Sequence, residues 1–104
     1  MGINHDIAAH RFTLDIDGER GVLDYILSDG ALSGGKQSDA ALHDRVMTIV
    51  HTGVPPPIGG RGIASELTRA ALDVARREGW KVVPACSYAA AFLRRHPEYA
   101  DLLA

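Results

Sequence analysis

The sequence predicts a mixed α+β fold: an antiparallel meander followed by a parallel βαβ unit and a C-terminal helix. Three observations carry that expectation. In the first half of the chain, apolar and polar residues alternate with the period of a half-buried strand. In residues 61–78 the apolar positions fall instead at Ile63, Leu67, Ala70, Ala71, Val74 and Ala75, which is one face of a helix. Strand-like runs stand on both sides of that helix, so the two strands should be parallel and joined by a right-handed crossover.

Taken in order, "RFTLDI" (11–16) puts Phe12, Leu14 and Ile16 on one face and Thr13 and Asp15 on the other. "DGERG" (17–21) is a turn and "VLDYILS" (22–28) a second strand. "DGALSGGKQSDAAL" (29–42) reads as a loop, with room for a short strand at Ala31 and Leu32. "DRVMTIVHT" (44–52) has the β-branched content of a strand buried on both faces. The helix of residues 61–78 carries Ser65, Glu66, Arg69, Asp73, Arg76 and Arg77 on its polar side, and Gly79 is its stop signal. "WKVVPACS" (80–87) is a short strand. "SYAAAFLRRH" (87–96) is a second helix ended by Pro97, and "EYADLLA" has room for one more turn.

With 104 residues, the chain has the size of one domain spanning 1–104. A formal charge of −2 and an isoelectric point near 6.2 give no general electrostatic pull toward nucleic acid or an anionic membrane. The single cysteine, Cys86, excludes an internal disulfide and fits a reducing compartment. No apolar run approaches the roughly 20 residues needed to span a bilayer, and the start shows no signal pattern. "MGINHD" opens like a myristoylation site but has Asp6 where Ser or Thr is required. The expectation is a soluble cytoplasmic protein, a monomer or weak homodimer.

The densest chemistry lies in "HTGVPPPIGGRGIASELTRA" (51–70). A helix start leaves about four backbone N–H groups unpaired, and Ser, Thr, Asp or Asn commonly caps them. Here Pro57, Ile58, Gly59 and Gly60 precede the helix, none with a side-chain oxygen, and Arg61 places a cation where the helix dipole disfavours one. An external anion resolves both oddities, because glycines let phosphate oxygens reach the N–H groups and Arg61 adds charge. The alternative is a plain flexible turn with Arg61 in water. His51 and Cys86 each stand at the carboxyl end of one of the two parallel strands, where ligands of such sheets bind. Cys86 also precedes a helix, whose dipole favours a thiolate. Against these readings, a lone cysteine often serves as a small hydrophobe, and a strand-end histidine often only satisfies a carbonyl. Arg94 and Arg95 in "LRRHPEY" either offset the negative end of the second helix or form a cationic rim. The five histidines and one cysteine show no metal-ligand spacing, so no metal is expected.

Residues 54–103 resemble the short, roughly hundred-residue N-acetyltransferase-like family within the GNAT superfamily. The resemblance rests on the Val-Pro lead-in, "GRGIA" opening a helix, "VPACSY" after the next strand, and "RHPEY". It implies a compact GNAT-like core binding acetyl-CoA as co-substrate, with the CoA pyrophosphate on Gly59, Gly60, Arg61, Gly62, Ile63 and Ala64. The pantetheine arm is then expected along Thr52 and Val54, with His51 and Cys86 as the catalytic pair. The pattern departs at Pro57, where the superfamily loop usually begins with Arg or Gln. It departs again at Ser87 and Arg94, where larger members carry Asn and a proton-donating Tyr, so Cys86 or Tyr88 would substitute. The implied activity is acetyl transfer to a primary amine, on a small molecule or on a protein or peptide. In that reaction His51 accepts the amine proton, Cys86 protonates the leaving sulfur or accepts the acetyl group, and a backbone N–H near 52–54 polarises the thioester carbonyl. The alternative is a CoA-binding or sensing module without turnover.

Overall fold

A computed structural model of the chain describes residues 2–29 and 45–104; most of the expected loop at 29–42 lies outside them. Five strands form one sheet in sequential order: β1 (Ile3–Asp6), β2 (Arg11–Ile16), β3 (Glu19–Asp29), β4 (Arg45–Gly53) and β5 (Lys81–Pro84). β1 to β4 pair antiparallel, and β4 and β5 pair parallel across the crossover helix α1 (Ile63–Glu78). α2 (Ser87–Arg95) follows β5, and a 3-10 segment, Pro97–Leu102, leads to a parallel bridge between Leu103 and Val82.

The expected meander and βαβ unit are therefore both present, with differences that have local causes. β1 was not expected, because "INHD" has too little apolar content to read as a strand. It is held by its full register on β2 and by a turn in which the Asp6 carboxylate accepts from the Ala9 amide at 3.0 Å. The turn expected over five residues is only Asp17 and Gly18, at φ 52° and 77°. Two positive φ angles make a tight hairpin that leaves Glu19, Arg20 and Gly21 in the β3 ladder. The expected strand at 80–87 stops at Pro84, and the helix expected from residue 61 starts at Ile63.

β4 was expected to be buried on both faces, and it is buried on one. Met47 and Ile49 face the single buried cluster with Phe12, Leu23, Leu67 and Phe92, whereas Val50 is 41% exposed. The cause is that α1 and α2 share one side of the sheet, and among the described residues nothing covers the other. Burying an apolar stripe of α1 on β2, β3 and β5 is what fixes the helix over the sheet.

Candidate active site

The strand lengths create an opening. β4–β5 pairing ends at Ile49 and Pro84, while β4 runs on to Gly53 against β3. Pro84 has no N–H to extend the ladder. The next two amides, of Ala85 and Cys86, both donate to the Ile49 carbonyl at 3.0 Å, which turns the chain away from β4. A bulge marks the same point: Asp24 pairs with His51 and Tyr25 with Ile49, so Val50 has no opposite number on β3. Beyond Ile49, β4 and β5 part and leave a crevice at the carboxyl ends of the two parallel strands.

The glycine turn closes one side of this end. Pro56–Ile58 forms a 3-10 turn whose Ile58 is fully buried, anchoring the segment. Gly60 is at φ 80°, and Gly62, at φ 75°, is the N-cap of α1 with no side-chain cap. Both glycines face open space. The first helical bond runs from the Glu66 amide to the Gly62 carbonyl at 3.0 Å, so the Ile63, Ala64 and Ser65 amides have no acceptor among the described residues. Arg61 is not in the first helical turn, as the periodicity suggested, but one residue before the cap. Its guanidinium donates to Asp17 at 2.5 Å across the β2–β3 hairpin, and both side chains remain exposed.

Cys86 is the N-cap of α2. Its sulfur accepts from the Ala89 amide at 3.3 Å and lies 3.5 Å from Thr52 Oγ1, so the thiol and hydroxyl meet across the parted strands. Thr52 pairs with buried Leu23 and so faces the helices; His51 pairs with Asp24 and faces the uncovered side. The imidazole lies along its own strand, close enough that a Cβ on Gly53 would stand 2.8 Å from Nε2. Cys86 is thus brought together with Thr52, while His51 borders the same crevice from the opposite face. Val54 is half-buried just beyond β4. Sequence reasoning missed the pairing of Arg61 with Asp17 and that of Thr52 with Cys86. No local pattern signals either, since the partners lie 44 and 34 residues apart.

The GCN5-related N-acetyl-transferase family model matches residues 11–102, nearly the whole sheet and both helices. The chain belongs to the GCN5-related N-acetyltransferase family. Among its relatives is protein NATD1 from Bos taurus, 30% identical over 97 residues that make up 91% of this chain and 74% of NATD1. Protein NATD1 from Gallus gallus is likewise 30% identical over 97 residues, covering 76% of that protein, and the Homo sapiens protein 30%, covering 74%. The mixed five-stranded sheet agrees with the fold of the family. Among the described residues, no helix is long and apolar enough to cross a membrane, and no group of three metal-ligating side chains occurs.

Proposed function

We propose that the protein is an acetyl-CoA-dependent N-acetyltransferase acting on a primary amine. The observation that carries this reading is the coincidence, at one end of the sheet, of the parted β4–β5 strands with the uncapped start of α1. The residues fit acetyl-CoA: the open Ile63, Ala64 and Ser65 amides, with Gly59, Gly60, Arg61 and Gly62 around them, suit its pyrophosphate. Thr52 on the free edge of β4 and Val54 just beyond its end suit the pantetheine arm. The bound thioester supplies an activated acetyl carbon.

The residues flanking the crevice divide the remaining work by face. The acceptor amine arrives from the uncovered face, where His51 takes its proton. The new N–C bond forms as the thioester C–S bond breaks, and the Cys86 thiol, positioned by Thr52 on the helix face, returns a proton to the departing sulfur. A β4 amide freed from pairing with β5 polarises the carbonyl. The test is to incubate the protein with acetyl-CoA and a panel of amines while following CoA release, with intact mass for acetyl-Cys86. Turnover that falls at least tenfold in both Cys86→Ala and His51→Ala supports these roles. Full activity in both variants removes them.

One observation favours a second reading, a CoA-binding module without turnover: the Cys86 sulfur already serves as the cap of α2. Such a module is stabilised thermally by acetyl-CoA yet releases no CoA with any amine.

A further inference from the structure

The last residue of β4 is a glycine that neither its backbone angles nor the core requires. Gly60 and Gly62 take left-handed φ, and Gly21 makes room for Ile63, whose Cγ2 would stand 2.8 Å from a Cβ there. Gly53 has no positive φ, and it sits in the ladder opposite Val22, where a glycine forfeits side-chain packing and backbone entropy. What a Cβ at Gly53 would meet is the His51 ring: Nε2 at 2.8 Å and Cε1 at 3.4 Å, with Val22 Cγ2 at 3.7 Å. A contact of 2.8 Å is closer than real side chains come, so the ring would have to move.

The strand brings the two residues together. Alternate residues of a strand share a face about 6.6 Å apart, so His51 and Gly53 are neighbours on one side. The extra residue at Val50 sets that side: His51 stands opposite Asp24 and Gly53 opposite Val22 on the uncovered face, while Thr52 between them turns to the helices. The Asp24 carboxylate already accepts from Arg11 Nε at 2.5 Å, which leaves the exposed imidazole to lie along its own strand. Its reactive nitrogen therefore rests over residue 53, in the stretch of β4 beyond the last β5 partner, Ile49.

We propose that Gly53 is a positioning residue for acetyl transfer: lacking a side chain, it lets the His51 imidazole lie along β4 with Nε2 over residue 53, beside the thioester carbon. The proposal rests on the reading of His51 as the group that takes the amine proton. Misplacing a reacting group by about 1 Å can cost on the order of 10²-fold in rate.

The experiment compares the unaltered protein with Gly53→Ala, His51→Ala and the double variant, following CoA release from acetyl-CoA with a panel of amines. NMR of the unaltered protein adds a readout independent of activity. The expected results are an NOE between His51 Hε1 and Gly53 Hα, a Gly53→Ala variant that melts no lower than the unaltered protein, and a kcat at least fivefold lower in that variant at unchanged KM for acetyl-CoA. Adding Gly53→Ala to His51→Ala should cost nothing more, whereas a merely structural role would lower turnover in that background too. Absence of the NOE, a lowered melting temperature, an unchanged kcat in Gly53→Ala or an additive loss in the double variant overturns the proposal and leaves acetyl transfer standing. No turnover by the unaltered protein with any amine overturns the acetyl-transfer reading, and this proposal with it.

Discussion

Two glycines bound α1 in nearly the same left-handed conformation, Gly62 at φ 75°, ψ 15° and Gly79 at φ 79°, ψ 21°. That symmetry allows backbone strain to be separated from ligand binding. An alanine at Gly62 meets nothing within 4 Å, so the cost of Gly62→Ala is the left-handed backbone itself, about 1–2 kcal/mol. Gly79→Ala carries a similar backbone cost at the far end of the helix. Each should lower Tm by about 4–15 °C in a domain of this size. Acetyl-CoA at 100 times its Kd adds about 2.7 kcal/mol to the unaltered protein. On the proposed reading, the new methyl at Gly62 would stand where the pyrophosphate approaches the Ile63, Ala64 and Ser65 amides. A tenfold loss of affinity there removes about 1.4 kcal/mol, roughly half of the ligand-induced stabilisation. Differential scanning fluorimetry with and without acetyl-CoA reads both quantities. Gly62→Ala should lose stability and half its ligand shift, Gly79→Ala stability alone. Equal ligand shifts in the two variants would refute the assignment of the anion to this helix start.

Three other contacts give measurable outcomes. Asp17→Asn releases Arg61 from an exposed ion pair that contributes less than about 1 kcal/mol, so stability should hardly change. Isothermal titration should show tighter acetyl-CoA binding with a steeper salt dependence, and weaker binding would mean that Arg61 serves the hairpin instead. Tyr99→Phe removes a nearly buried hydroxyl that donates to Asp73 at 3.2 Å and accepts from Arg69 at 3.3 Å, tying the C-terminal segment to α1. Urea unfolding should register a loss of about 0.5–1.5 kcal/mol, because the ring and its cation contacts remain. His5 titrates below its ordinary value mainly through burial, so near that value the unfolded chain binds more protons than the folded one. Stability should therefore fall as pH drops through the ordinary histidine range toward the lower folded pKa. His5→Gln should flatten that slope in denaturant melts taken across it.

How much was legible in the sequence depended on whether the signal was local. The alternation of Phe12 and Leu14, the stripe from Ile63 to Ala75 and the missing cap before α1 are patterns of adjacent residues, and each corresponds to an observed element. The start of α1 was misplaced by two residues because periodicity counts apolar positions, whereas the boundary is set by the left-handed Gly62. β1 escaped notice because its pairing with β2, not its composition, makes it a strand. "RVMTIVHTG" reads as unbroken strand, yet the extra residue at Val50 reverses the alternation beyond it, so Thr52 rather than His51 faces the helices and meets Cys86. The crevice itself arises from unequal neighbours, nine residues of β4 against four of β5. Pro84 withholds the amide that would continue the ladder, and Ala85 and Cys86 converge on one carbonyl. The same convergence that ends β5 sets Cys86 at the start of α2, so opening the strands and placing the thiol at their parting are one structural event.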